Sequence, residues 1–100
     1  MYAVHLSPKA AADVRAAYNW YLKETQNLAD DFLDEMQAYV DKIAANPDHF
    51  SPVPKRNARF AILKRFPYKI YFQVNDITRR ADIVAVVHKA RRPQFWKRRL

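Results

Sequence analysis

Tyr68-Lys69-Ile70-Tyr71-Phe72-Gln73-Val74, then Asn75-Asp76-Ile77-Thr78, then Asp82-Ile83-Val84-Ala85-Val86-Val87-His88 decide how this chain folds. In the first run Ile70, Phe72 and Val74 fall on one side of an extended backbone, and Lys69, Tyr71 and Gln73 on the other. The middle run holds turn formers whose short polar side chains bond their own backbone. The last run is apolar from Ile83 to Val87, which predicts a central strand covered on both faces. Together the three runs predict a β-hairpin. Arg59 to Leu63, just upstream, adds one more strand and makes a three-strand antiparallel meander.

Tyr2, Val4 and Leu6 alternate with Ala3 and His5, the pattern of a short strand. Ser7 and Pro8 then form a helix start, Ser7 as N-cap and Pro8 preset for the first helical position. Ala10, Val14, Ala17, Tyr18, Tyr21 and Leu22 recur at helical spacing to about Thr25. Gln26-Asn27 interrupts the pattern, and Asn27 is the expected cap of a second helix. Its apolar stripe is Ala29, Phe32, Leu33, Met36, Val40 and Ile43. That helix should stop near Asn46, because Pro47 disfavours helical geometry in the residue before it. Asp48 to Asn57, with Pro52 and Pro54, reads as a loop. The expected fold is a single α+β domain over residues 1–100: an N-terminal strand, a helical hairpin, then the meander, with the helices packed on one face of the sheet.

The charge is divided between the halves. Residues 1–50 hold four Lys/Arg against eight Asp/Glu, a net of −4, whereas residues 51–100 hold fourteen against two, a net of +12. A basic half of this kind implies an anionic partner, either nucleic acid or an acidic protein. With no cysteine there are no disulfides or thiolate metal sites. With no glycine there is neither a phosphate-cradling loop nor a nucleophile elbow, so nucleotide-cofactor enzymes and ordinary α/β hydrolases are excluded. No His/Asp/Glu spacing resembles a metal site, and no cofactor is expected. No apolar run approaches the ~20 residues of a membrane helix, and no leader is visible, so a cytoplasmic protein without a membrane partner is expected.

The basic residues cluster in loops and at strand ends, where binding groups are commonly presented. Lys55, Arg56 and Arg59 lie in and after the proline loop, and Lys64, Arg65 and Lys69 bracket Phe66-Pro67-Tyr68. Lys89, Arg91 and Arg92 follow the last strand, and Lys97, Arg98 and Arg99 come after them. Interleaved with Tyr68 and Trp96 they suit phosphate neutralisation and base stacking. Phe66, Phe95 and Trp96 serve equally as caps on the core. His88 is the one group titrating near neutrality within these clusters, with Tyr68 as a candidate proton-transfer partner. A structural histidine at a strand end is the alternative. The acidic run Asp30, Asp31, Asp34, Glu35 and Asp41 reads as a solvated helix face.

The order strand–helix–helix–strands resembles the RelE/ParE toxin superfamily. So do Arg65-Phe66-Pro67-Tyr68-Lys69-Ile70-Tyr71-Phe72 and Val86-Val87-His88-Lys89-Ala90-Arg91-Arg92-Pro93-Gln94-Phe95-Trp96. The resemblance implies a toxin of a type II toxin–antitoxin (plasmid stabilisation) pair, held silent by an acidic, partly disordered antitoxin. In the ribonuclease branch, basic sheet positions fall at Phe60 and Ile62 of this sequence, a C-terminal Arg at Ala90, and a Tyr at Trp96. Only Lys69 is retained. The ParE-like branch, whose members bind DNA gyrase and trap its cleaved-DNA state, is the closer likeness. It implies target-binding roles for Lys55, Arg56, Arg59, Lys64, Arg65, Tyr68, Arg91, Arg92 and Trp96, without catalytic residues. The alternatives are a ribosome-dependent mRNA endonuclease using Lys69, His88 and Arg91, and a non-toxic module that binds an antitoxin or nucleic acid.

Overall fold

The computed structural model describes residues 1–91 and 94–100, so Arg92 lies outside the described residues. The alternation at the start of the chain forms strand β1 (Ala3–Leu6). Ser7 then caps helix α1 (Pro8–Leu22), its hydroxyl accepting from the Ala10 N–H at 3.0 Å. Helix α2 (Gln26–Ala45) begins earlier than the sequence suggests, because Thr25 rather than Asn27 is the cap. Thr25 is extended, and its Oγ1 accepts from the Leu28 N–H at 3.0 Å. Gln26 and Asn27 therefore lie inside the first turn, where the missing i−4 carbonyls make such residues harmless.

Pro47, fully buried, ends α2 and opens a 3-10 turn (Pro47–His49). The proline segment contains a two-residue strand, β2 (Ser51–Pro52), that the loop reading does not include. Strands β3 (Arg59–Ile62), β4 (Tyr68–Asn75) and β5 (Arg80–His88) follow, then the short helix α3 (Gln94–Lys97). The sheet order is β1-β5-β4-β3-β2. The meander is antiparallel as expected, but β1 runs parallel to β5, so the five-stranded sheet is mixed.

Both helices cover one face. Phe32, Met36 and Ile43 of α2 meet Ile70 and Phe72 of β4 and Ile83 and Val86 of β5. Full burial of side chains such as Phe32, Phe72 and Ile83 stabilises the fold by about 1.5–3 kcal/mol each. The opposite face is smaller. There Tyr71, Ala85 and Val87 are covered by Val53, Ala58, Trp96 and Leu100.

The run Ile83 to Val87 is apolar on both faces partly because it contains a bulge. Tyr71 pairs with Ala85 and Phe72 with Ile83, which leaves Val84 without a partner on β4. The extra residue reverses the alternation. Ala81 and Ile83 face the helices before it, and Val86 and His88 after it.

β1 accompanies β5 only as far as Ile83, so the β5 edge beyond has no strand beside it. Side chains satisfy it instead. The Asp13 carboxylate of α1 accepts from the Val86 N–H at 2.9 Å, and the Arg99 guanidinium donates to both Asp13 and the Val84 carbonyl. Asp13→Ala strands a backbone donor and a half-buried guanidinium together. Urea unfolding should show a loss of about 1–3 kcal/mol, with a smaller loss for Asp13→Asn. A change below about 0.5 kcal/mol would mean that the bulge is held by something else.

Candidate functional site

The turn between β3 and β4 is fastened to α2. The Glu35 carboxylate accepts from the Lys64 N–H at 2.7 Å and the Arg65 N–H at 2.9 Å, satisfying two backbone donors that no strand reaches. Asp31, one turn earlier on α2, pairs with the Arg65 guanidinium at 3.3 Å. Part of the acidic helix face is thus a clamp on the basic turn. Its two carboxylates point at residues some thirty positions away, and nothing in the local sequence signals it.

Beneath the turn four rings interlock. Tyr21 and Phe32 meet Phe66 at centroid distances of 4.9 and 5.4 Å, and Tyr68 at 6.3 and 5.5 Å. Phe66 is buried, as a core cap should be. Tyr68 is half-buried and pairs across the ladder with His88, their rings 5.4 Å apart and edge-to-face. The Lys89 N–H donates to the Pro67 carbonyl at 2.8 Å, tying the segment after β5 to the same turn. Lys64, Arg65, Tyr68, His88, Lys89 and Arg91 therefore gather at one end of the sheet. Tyr68, His88 and Arg91 also line a cleft of about 470 Å³ between α1 and the open edge of β5, with Asp13, Tyr21 and Trp20, which is 63% exposed.

The remaining sequence-predicted residues lie elsewhere. Lys69 is on the opposite face of β4 from Tyr68, its Nζ 5.6 Å from the Phe60 ring centre. Trp96 is on that opposite face too, stacked on Tyr71 at 4.5 Å and 15°. Lys55, Arg56 and Arg59 are at the far end of the sheet. Arg59 is occupied there, donating to the Phe50 carbonyl at 2.6 Å and pairing with Asp48 at 3.7 Å. Arg99 is likewise held in the bulge contact.

The geometry limits what His88 does chemically. Its Nδ1 accepts from the Ala90 N–H at 3.0 Å, so in the neutral ring the proton sits on Nε2. The free nitrogen is then a donor, and the lone pair that a general base needs is already engaged. Burial pushes the Tyr68 phenol above its ordinary value, with Arg91 pulling the other way, so Tyr68 keeps its proton at neutrality. Both groups are placed to donate hydrogen bonds to an anion, as are Lys64 and Lys89. Among the described residues no three His, Cys, Asp or Glu side chains are placed to hold a metal ion.

The order of elements and the two motifs correspond to known proteins. The family model "ParE toxin of type II toxin-antitoxin system, parDE" matches residues 4–93. The chain belongs to the ParE toxin family. No curated protein matches it in sequence. Among solved structures, the chromosomal ParDE system from P. aeruginosa is similar at 24% identity and a TM-score of 0.65, covering 88% of this chain and 96% of that one. The E. coli RelBE complex is similar at 17% identity and a TM-score of 0.63, covering 92% of this chain and 100% of that one. The isolated E. coli RelE toxin, at 14% identity, also has a TM-score of 0.63, with 98% and 95% covered. The ParE toxin family therefore shares this architecture with RelE. Among the described residues no helix is long and apolar enough to cross a membrane.

Burial also raises the phenols of Tyr21 and Tyr71. Because the folded state favours the neutral phenol, this stabilisation is complete below about pH 10 and is lost as the pH climbs through the raised values. Thermal melts followed with tyrosinate absorbance should show the midpoint falling above about pH 10, less steeply in Tyr68→Phe. An equal slope in both proteins would remove Tyr68 from the linkage.

Proposed function

We propose that this ParE-family toxin arrests growth in the cytoplasm by binding DNA gyrase, or gyrase with its DNA, without chemistry of its own. Lys64, Arg65, Tyr68, Lys89 and Arg91 form the contact surface, and Arg92 follows them in sequence. The observation that carries this reading is the placement of Lys69, His88 and Arg91. The sheet lies between Lys69 and the other two, so the trio a ribonuclease would use does not converge on one phosphate. Phosphoryl chemistry needs donors aimed together at the developing charge. A poison needs only to bind the cleaved-DNA state of its target more tightly than the resting state. Cations fixed by Glu35 and the Tyr68 ring cluster supply such a preorganised surface.

A cognate antitoxin completes the system. An acidic, partly disordered segment that orders on binding complements the basic half of the chain. The structural likeness to the ParDE system supports a partner of this kind. Likeness to RelE keeps the ribosome-dependent mRNA endonuclease as the second reading. Loss of toxicity altogether, leaving a binding module, would appear as induction without growth arrest.

The purified chain should inhibit supercoiling of relaxed plasmid by gyrase with ATP, and leave linear DNA covalently attached to protein. The double variant Lys89→Glu/Arg91→Glu should abolish both effects while keeping its circular dichroism. Undisturbed gyrase in the presence of folded chain would reject this target.

A further inference from the structure

At the end of the sheet away from Tyr68, the hairpin between β4 and β5 holds Ile77 in water at 94% exposure. An isoleucine left there forgoes the stabilisation that burial of its side chain would supply. The tip is nevertheless closed by its own hydrogen bonds. The Asn75 Oδ1 accepts from the Ile77 and Thr78 N–H groups at 3.0 and 3.1 Å, closing a turn that aims the side chain outward. The Asp76 carboxylate is turned back onto the Tyr2 hydroxyl, and the Arg79 guanidinium lies over the Tyr2 ring at 4.3 Å.

Among the described residues two backbone positions have left-handed φ, Lys55 at 61° and Arg79 at 57°. Glycine or asparagine is the usual occupant of such positions. Here both hold cations, and both lie at this end. Strain of this kind persists where function requires it. Arg56 shares a shallow hollow with Val74 near the base of the hairpin, which brings the loop before β3 beside the tip. Lys55 and Arg56 are exposed and make no ion pair among the described residues. Arg80, on the β5 side, pairs with exposed Asp82 at 2.7 Å. Cations thus flank Ile77 on both sides, Lys55 and Arg56 toward β3, Arg79 in the turn and Arg80 at the start of β5.

We propose that this end of the molecule binds duplex DNA through the minor groove, with Ile77 as a wedge between base steps and Lys55, Arg56 and Arg80 on the flanking phosphates. The groove is about 6 Å wide with phosphates along both walls, and the faces of its stacked bases take an apolar side chain where a step is opened. A single projecting isoleucine between two pairs of cations matches that pattern. Wedges of this kind, Ile among them, unstack a step and kink the duplex. A tip already closed by hydrogen bonds is suited to the task, because less ordering is left for insertion. The inference concerns DNA alone and does not depend on gyrase as the target.

The test uses the full chain and a short A·T-rich duplex that carries an unstacking-sensitive fluorescent base and a dye at each end. Binding should raise the base's fluorescence and shorten the end-to-end distance. Ile77→Ala should bind within about threefold of the parent yet produce neither signal, since phosphate contacts carry most of the affinity. Lys55→Ala/Arg56→Ala should bind more weakly and lower the salt slope by about 2. No binding by the parent, unstacking by Ile77→Ala equal to the parent's, or an unchanged salt slope for Lys55→Ala/Arg56→Ala would each overturn the proposal.

Discussion

The single extra residue at Val84 determines which face of the sheet each later residue of β5 occupies. Strand alternation is strict, so without a bulge Val86 and His88 would share the face of Lys69, away from Tyr68. With it, His88 meets Tyr68 on the helix side, and Ala85 and Val87 close the smaller core on the other. Beside the bulge, the edge donor and acceptor left where β1 stops are taken by Asp13 and Arg99, from the first helix and the C-terminal segment. Removing those partners would leave a strained central strand with unsatisfied groups beside a half-open edge. The composition of the candidate site thus depends on a contact in the wall of its own cleft.

The opposed charges of the two halves have a structural meaning as well as a functional one. Glu35 and Asp31 bind the turn that carries Lys64 and Arg65, so the acidic helix holds the basic turn in place. The carboxylate of Glu35 engages backbone N–H groups, which leaves the Lys64 ammonium without an ion pair among the described residues. Arg65 is different, because Asp31 partly neutralises it at the surface. An exposed pair of that kind is worth about 0–1 kcal/mol and gives way readily to a stronger anion. The turn therefore keeps its shape while its charge stays available to a partner.

Much of the fold is legible in the residues themselves. Ser7-Pro8, the apolar stripe of the second helix, the stop at Pro47 and the alternation from Tyr68 to Val74 each express local rules, and each appears in the structure. Thr25 gives no clear signal as a cap, because Gln26-Asn27 looks like a break when only helix propensity is weighed. The parallel pairing of β1 with β5 has no local signal, since Ala3–Leu6 would alternate in the same way in either direction. Of the site, Tyr68, His88, Arg91 and the Lys64-Arg65 turn were visible as a motif and do come together. Lys69, Trp96 and the Lys55–Arg59 group do not join them, because strand parity and strand direction send them elsewhere. Asp13, Glu35 and Arg99 were hidden for the opposite reason. Their partners are backbone groups or residues far along the chain, and a carboxylate on a helix gives no sign of what it will reach.

The proposed function is that of a toxin that holds its target without a proton-transfer site of its own. The most direct measurement is primer extension on mRNA bound in purified ribosomes and incubated with the folded chain. Uncut messenger at chain concentrations that block gyrase is the result the account requires. Reproducible cleavage in the ribosomal A site, lost in Lys69→Ala or His88→Ala, would contradict it.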